Sequence, residues 1–255
     1  MRRRVVFNQK GGVGKSTIVV NLAAAAAQAG RRVLVVDLDP QGNASHYLLG
    51  DAANQAVPAL DAFFDQTLNF SLYAKPVAAF VHATPHQGLS LIPSHPGIAE
   101  QQSKLEARYK IYKLRESLAE LEDDFDEVWI DTPPALNFFT LSALIAADGC
   151  LIPFDCDTFS RDALLSLMAR VEEIRVDHNP NLAVEGIVVN QFQPRASLPT
   201  RLVEALKEQG LPVLPTYLSS SVKVRESHER ATPLVWLDPR HKLAGEFRAL
   251  YQALP

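Results

Sequence analysis

The apolar residues of this chain fall into two kinds of segment, which alternate along most of its length. Short continuous apolar runs rich in β-branched residues are typical of parallel strands covered on both faces. They occupy residues 5–7, 33–36, 89–93, 126–131, 149–154, 184–192 and 213–215. Helical patterns lie at residues 18–29, 57–64, 97–122, from about 160 to 176, 198–208 and 240–254. The alternation predicts an α/β fold with a mostly parallel twisted sheet and helices on both faces.

Composition narrows the class of protein. The chain has 255 residues, of which 47% are hydrophobic, and this is enough for one well-buried domain spanning residues 1–255. Its net charge of −4 excludes a wholesale basic surface, so any binding of nucleic acid requires a local patch. No apolar stretch is long enough to cross a bilayer, and residues 1–4 enter the first strand too soon for a signal peptide. The two cysteines form no disulfide or zinc framework, and we expect a cytoplasmic protein.

A glycine-rich loop follows the first strand and leads directly into a helix. Without a Cβ, three of its residues let the backbone N–H groups point at an anion, and the helix N-terminus adds partial positive charge. Lys15 is then expected against the β- and γ-phosphates, with the Ser16 hydroxyl on Mg²⁺, as in a P-loop. The sequence therefore predicts a single P-loop NTPase domain whose nucleotide contacts are Lys10, Gly11, Gly12, Val13, Gly14, Lys15, Ser16 and Thr17.

Carboxylates follow two further strands. Asp37 and Asp39 come after the second strand, and Asp131 ends a later one, where Pro133 and Pro134 forbid its continuation. Open α/β sheets bind ligands at the carboxyl ends of their strands, where carboxylates hold Mg²⁺ or orient an attacking water. An Asp at such a strand end beside a P-loop is the Walker B arrangement. The predicted metal residues are Ser16, Asp39 and Asp131.

The loop departs from the standard P-loop pattern in an informative way. Gln9 stands where the pattern has glycine, and Lys10 opens the loop, which gives the form K-G-G-x-G-K-[ST]. This motif resembles the deviant Walker A of the ParA/MinD ATPases. Residues 37–43 and 131–144 are similar to the family's next two motifs, and the likeness to short, Soj-like ParA partition ATPases covers essentially the whole chain.

The resemblance implies catalytic roles for Lys10, Lys15 and Asp39. Lys10 would reach across a homodimer interface to the partner's nucleotide, and Asp39 would position water for slow ATP hydrolysis that a ParB-type or analogous adaptor stimulates. It also implies nucleotide contacts at Asn190 and Pro215. There is no room before the first strand for the helix-turn-helix extension of some relatives.

In the implied cycle, the ATP- and Mg²⁺-bound dimer binds DNA non-specifically and associates with the nucleoid, for partition or positioning of plasmid, chromosome or protein cargo. The cargo stays open. Basic residues expected at the DNA surface are Arg195, Lys223 and Arg225. One loop departs from the family, with Asp157 where relatives commonly carry glutamate.

Two alternatives remain. A MinD-like positioning ATPase would hold an anionic membrane through the amphipathic segment 240–254, but this segment has few cations, and its apolar residues could equally cap the core. An iron-protein-like enzyme needs a cysteine pair at the dimer axis, and Cys150 and Cys156 do not stand in cluster positions. Residues 44–94 are interpreted as a variable connection.

Overall fold

The computed structural model describes residues 1–69, 73–156 and 161–255. Within them the chain forms a seven-stranded sheet in the order β3-β4-β2-β5-β1-β6-β7. All neighbouring strands pair in parallel except β3 with β4, which are antiparallel. The strands are β1 (Arg2–Val6), β2 (Val33–Asp37), β3 (His82–Ala83), β4 (Leu89–Ile92), β5 (Glu127–Asp131), β6 (Gly149–Asp155) and β7 (Ala183–Asn190).

Helices cover both faces of this sheet. They are α1 (Lys15–Gln28), α2 (Asn43–Leu49), α3 (Leu60–Leu68), α4 (Ile98–Ala107), α5 (Lys113–Ala119), α6 (Phe138–Ala146), α7 (Arg161–Asp177), α8 (Ser197–Glu208), α9 (Lys223–Glu229), α10 (Leu234–Leu237) and α11 (Lys242–Gln252). Short 3₁₀ turns occupy Gly50–Gln55, Val77–Phe80 and Lys110–Tyr112.

Alternating side chains of the strands supply two cores. Val5 and Phe7 belong to the cluster that packs against α3 to α8, whereas Val6 belongs to the cluster that packs against α1, α2, α10 and α11. Successive residues of a strand point to opposite faces, so β1 serves both layers. The predicted mostly parallel α/β architecture is confirmed.

The prediction of one helix over residues 97–122 is wrong. The helix α4 ends at Ala107, Tyr109 adopts the left-handed conformation with φ 53°, and the chain continues through a 3₁₀ turn into α5. An uninterrupted helix of that length would run about 39 Å. Leu105 of α4 and Leu118 of α5 are both buried in the same core cluster, and the bend at Tyr109 lets both segments pack there.

Two shorter predictions also need correction. The helix predicted at residues 57–64 begins only at Leu60 and continues to Leu68. The strand predicted at 213–215 is reduced to a single bridge between Val213 and Ile187. Prolines at 212 and 215 have no N–H to donate to a ladder, which explains why the pairing does not extend.

The C-terminal amphipathic helix packs on the core. In α11 the side chains of Leu243, Phe247 and Leu250 are buried beside α1 and α10. Its apolar face is therefore already covered, which argues against a membrane anchor of the MinD kind. No helix in the described part of the chain has the length and apolar character needed to span a membrane.

Candidate functional site: a phosphate cavity at the carboxyl edge of the sheet

Three central strands end at the same edge of the sheet. In the strand register, Asp131 of β5 lies between Val6 of β1 and Asp37 of β2. The loops that leave β1 and β2 therefore begin side by side. This register brings the glycine loop next to the acidic residues that follow β2 and β5, as the sequence predicted.

The glycine loop is fixed from both sides. Gly12 and Gly14 have φ values of 78° and 87°, which a residue with a Cβ adopts only with strain. The Asn8 side chain donates to Pro153 O (2.7 Å) and accepts from Lys10 N (2.9 Å), so it ties the start of the loop to β6. On the other side, Asn190 Nδ2 donates to Val13 O at 2.9 Å.

Lys15 begins α1 and points into the protein. Lys15 is 7% exposed, and its Nζ donates to Lys10 O at 3.1 Å. Burial lowers the pKa of Lys15, while the nearby carboxyls of Asp131 and Asp39 act in the opposite direction. No side chain of the described residues caps the N-terminus of α1, and Lys15, Ser16 and Thr17 of its first turn line the same cavity. Together these donors make an anion-binding cradle.

Behind the loop, two acids are fully buried. Asp37 Oδ2 accepts from the Ser45 N–H and hydroxyl, both at 2.7 Å, yet burial raises the pKa of Asp37 to about 6. Burial, with the Asp37 charge next, raises the pKa of Asp131 well above its ordinary value. The neighbouring Ser16 side chain acts on the pKa of Asp131 in the opposite direction, and Asp131 Oδ2 is buried without a partner among the described residues. Two buried acids this close together favour a bound cation, because the cation offsets their negative charge.

This donor set fits Mg²⁺. No group of three or more His, Cys, Asp or Glu side chains in the described ranges could hold a metal by itself. A Mg²⁺ ion in a nucleotide site does not need such a group, because it keeps several waters and takes one or two carboxylates together with phosphate oxygens. The orphan oxygen of Asp131 beside the Ser16 hydroxyl is the observation that supports the fit.

Asp39 lies at the mouth of the same site. It is 6% exposed, and its Oδ1 accepts from Gln41 N at 3.0 Å. Its carbonyl accepts from Ser94 Oγ at 2.6 Å, and Ser94 N donates to Ser45 Oγ at 3.0 Å. Ser94 thus holds the loop after β2, and it also contacts Ser45, which binds Asp37.

The glycine loop and Asp39 enclose a cavity of about 410 Å³. Lining it are Gly11, Gly12, Gly14, Lys15, Ser16, Thr17, Asp39, Gln41, Asn43, Pro134 and His228. Most of the predicted nucleotide residues are therefore brought together around one space. The Val13 side chain is buried beneath it, and Lys10 contributes its carbonyl to Lys15.

Other predicted residues lie elsewhere. Asn190 contacts the glycine loop through Val13, and Pro215 is exposed and does not line the cavity. Lys223 is paired with Glu226 at 2.7 Å. Arg195 and Arg225 are exposed on the surface. Asp157 lies outside the described residues.

Both cysteines are buried thiols. Cys150 is 0% exposed within β6, and burial raises the pKa of its thiol, which disfavours the thiolate that an iron cluster requires. Cys156 is 4% exposed. Neither thiol is available on the surface of the protomer, which counts against an iron-protein-like enzyme.

Several residues of the site were not predicted. Asp37 is not among the predicted metal residues, although its position at the end of β2 is a sequence signal for a place in the metal site. Asn8, Ser45 and Ser94 act through backbone contacts that carry no sequence signal. His228 lines the cavity although it lies 211 residues along the chain from Thr17, whose hydroxyl it contacts.

Comparisons with known proteins agree with this geometry. A model of the AAA domain family matches residues 1–184. The chain is 36% identical over 251 residues to the chromosome-partitioning ATPase Soj of Thermus thermophilus, covering 98% of this chain and 94% of the relative. It is 32% identical over 254 residues to the chromosome partitioning protein ParA of Myxococcus xanthus, covering 98% and 86%.

A solved structure shares the fold. The cobyrinic acid a,c-diamide synthase of Mycobacterium smegmatis, solved with a bound ATP analogue and magnesium, superposes with a TM-score of 0.78 at 30% identity, covering 94% of this chain and 97% of that one. These two relatives match over most of their length and are named as partition proteins. The chain belongs to the ParA/Soj family of partition ATPases.

Proposed function

We propose that this protein is an ATP-dependent dimerisation switch that binds and hydrolyses ATP with Mg²⁺ in the cavity beside the glycine loop. The proposal rests on two features of the described residues: an α1 N-terminus without a side-chain cap beside buried Lys15, and a buried oxygen of Asp131 without a partner. One part of the site attracts phosphate, and the other attracts a cation. The relative with a bound ATP analogue and magnesium supports the same occupant.

The residues divide the work as follows. Glycine-loop N–H groups and Lys15 bind the phosphates, and Ser16 and Asp131 hold Mg²⁺, with Asp37 and Asp39 positioned to act through water. When bound, the ion neutralises charge that develops on the phosphates. Asp39, fixed by Gln41 and Ser94, orients the attacking water. Asn190 keeps the loop in shape through Val13, while a nucleotide contact by Pro215 stays a proposal.

Lys10 would act across the dimer. Its backbone already touches Lys15 and Asn8 within the protomer. The deviant motif is the reason to expect its side chain near the mouth of the cavity. In the proposed ATP-bound dimer, each Lys10 contacts the phosphates of the partner subunit. Hydrolysis removes the γ-phosphate, which distinguishes the two states of the switch.

The DNA surface is proposed on Lys223, Arg225 and Arg195. Arg225 is exposed, and Lys223 and Arg230 share the single carboxylate of Glu226, which leaves this cluster positively charged. Binding is expected to be electrostatic and not specific for sequence. The names of two relatives, which are chromosome-partitioning proteins, support cargo positioning. Nucleoid association and stimulation by a ParB-type or analogous adaptor are part of the same proposal.

The dimer is tested by light scattering on the Lys10→Ala variant. We expect it to bind ATP as a monomer with nearly unchanged affinity and to lose ATP-dependent dimerisation. Arg170→Ala on the surface of α7 is the control, because Arg170 pairs only with the neighbouring Glu173 among the described residues. Normal dimerisation of Lys10→Ala would refute the cross-subunit role.

The DNA surface is tested by salt titrations of DNA binding. With ATP, the double variant Lys223→Ala, Arg225→Ala should bind DNA at least tenfold more weakly and with a shallower salt dependence. Arg170→Ala, Arg175→Ala on α7 removes the same formal charge and should have a small effect. Binding that is indifferent to nucleotide and salt would remove this part of the proposal, and ATP-dependent sedimentation with anionic liposomes would favour the MinD-like alternative.

A further inference from the structure

His228 of α9 is a histidine at the edge of the nucleotide cavity. It is among the residues that line the cavity, and its Nε2 lies 3.0 Å from the hydroxyl of Thr17 in the first turn of α1. Its ring stacks on Tyr47 of α2, with centroids 3.7 Å apart and an interplanar angle of 25°. The histidine therefore touches both α1, which begins at Lys15, and α2, which follows the Asp39 loop.

A buried hydrogen-bond network holds the ring in place. Tyr47 Oη bonds to Ser227 Oγ at 2.6 Å and receives Asn21 Nδ2 at 3.1 Å. Ser227 is adjacent to His228, so both ends of the stack are anchored. Burial lowers the pKa of His228, so at neutral pH the ring is uncharged and one of its nitrogens carries no proton.

We propose that His228 is a positioning residue of the nucleotide site, which holds the Thr17 hydroxyl so that its proton points at the phosphate chain. This inference rests on the proposed binding of ATP in the same cavity. Thr17 is the residue after Ser16 and lines the cavity, so its hydroxyl has two neighbours, the ring of His228 and the bound phosphates.

The chemistry of the hydroxyl explains the need for such a partner. A threonine hydroxyl has one proton to donate and two lone pairs that accept. If it donates to a phosphate oxygen, Nε2 of His228 keeps its contact only by donating its own proton to Thr17 Oγ1. A neutral histidine protonated on Nε2 does this, and a ring without nitrogen does not.

Two substitutions separate the hydrogen bond from the stacking. His228→Phe keeps an aromatic ring against Tyr47 but has no donor, whereas His228→Gln loses the ring and keeps an N–H at a similar distance. Titration with a fluorescent ATP analogue should show affinity about five- to tenfold weaker for the Phe variant, the effect of one hydrogen bond, and within about twofold of wild type for the Gln variant. The rate constant of hydrolysis at saturating ATP should change little.

A double-variant cycle tests whether the two residues act together. Thr17→Val should weaken ATP binding, and adding His228→Phe to it should cost little more. The matched control is His178, which makes the same kind of bond, Nδ1 to Tyr112 Oη at 2.9 Å, away from the cavity. His178→Phe and His178→Gln should leave ATP affinity unchanged.

A spectroscopic measurement needs no folded variant. Nitrogen-15 spectra of the wild-type protein should show the proton of His228 on Nε2 when ATP is bound. If the wild type binds ATP, any one of three results would overturn this inference alone. The first is a His228→Phe variant with wild-type ATP affinity, and the second is a double variant in which the affinity losses of Thr17→Val and His228→Phe multiply. The third is a proton on Nδ1 of His228. No ATP binding by the wild type would overturn the proposed function and this inference with it.

Discussion

The amino ends of the parallel strands form one edge of the sheet, here called the amino edge, and their carboxyl ends form the carboxyl edge. Both edges carry buried charge, but they arrange it in opposite ways. At the amino edge, the Arg4 guanidinium lies between Glu127 and Glu185, at 3.1 and 2.8 Å, and also donates to Pro255 O. Glu127 further accepts from Trp129 and Tyr251. Every one of these charges has an opposite partner.

At the carboxyl edge, like charges face each other. Asp37 and Asp131 are register partners on neighbouring strands, Asp39 follows two residues later, and Lys15 is the cation beside them in the protomer. One carboxylate oxygen of Asp131 has no partner among the described residues. The difference teaches that paired buried charge marks the stable end of the sheet, and unpaired buried charge marks the end built for a ligand.

The largest expected effect comes from breaking a pair at the amino edge. Glu185, whose side chain is 1% exposed, pairs with Arg2 and Arg4. Glu185→Gln should lower the free energy of unfolding by about 3 kcal/mol, because it removes the carboxylate that Arg2 and Arg4 share and leaves buried Arg4 with Glu127 alone among its described carboxylate partners. Urea unfolding measures this. Glu172→Gln, which breaks an exposed pair with Arg175, should change the same quantity by less than about 1 kcal/mol. Equal losses in the two variants would refute the contrast.

The two edges should respond to pH in opposite directions. The pKa of Asp37 is raised from 3.8 to about 6, so the nucleotide-free folded protein holds a proton that the unfolded chain releases, and the free energy of unfolding falls as pH rises from about 4 to about 6. Asp37 alone accounts for a fall of about 3 kcal/mol in the free energy of unfolding. At the amino edge, the Arg32 guanidinium lowers the pKa of Asp126 to about 2, so stability from this pair is lost as pH falls from about 4 to about 2.

Urea unfolding across this pH range separates the two edges. Asp37→Asn should flatten the decline above pH 4, and Asp126→Asn should flatten the loss below it. A decline between pH 4 and 6 that is unchanged in Asp37→Asn would contradict the account.

Removing an acid at the carboxyl edge should stabilise the free protein. Asp131→Asn should raise the free energy of unfolding at pH 8 by about 1–2 kcal/mol without nucleotide, because it removes the cost of burying this carboxyl next to Asp37. The same variant should lose the Mg²⁺-dependent part of ATP binding. Thermal melts with and without Mg²⁺ and ATP show both effects. A variant that is less stable without nucleotide would indicate a structural role for Asp131.

The smallest expected effect concerns the loop that holds Asp39. Ser94→Ala removes the hydrogen bond from Ser94 Oγ to the Asp39 carbonyl, worth about 1 kcal/mol. The rate constant of ATP hydrolysis should fall about fivefold, with a nearly unchanged Michaelis constant. Ser103→Ala on the exposed side of α4 serves as the control. A Ser94→Ala variant with wild-type turnover would show that this hydrogen bond does not position Asp39.

Of this contrast, the carboxyl edge could be predicted from the sequence, whereas the charge pairs of the amino edge were not. The strand at residues 126–131, the glycine loop and the position of Asp39 depend on local patterns and on the rule that ligands bind at the carboxyl ends of parallel strands. The bend at Tyr109 could not be predicted, because the leucines on either side keep a helical spacing. His228 could not be predicted either, since its contact with Thr17 exists only once α9 packs beside α1.

The account depends most on the claim that the unpaired charges at the carboxyl edge hold Mg²⁺ and ATP. Calorimetric titration of ATP into the wild type in the presence of Mg²⁺ should show one site per protomer, with binding weakened at least a hundredfold in Lys15→Ala. Lys104→Ala, on the surface of α4, should bind as the wild type does. Equal affinity of Lys15→Ala and the wild type, or no heat with either protein, would contradict the account.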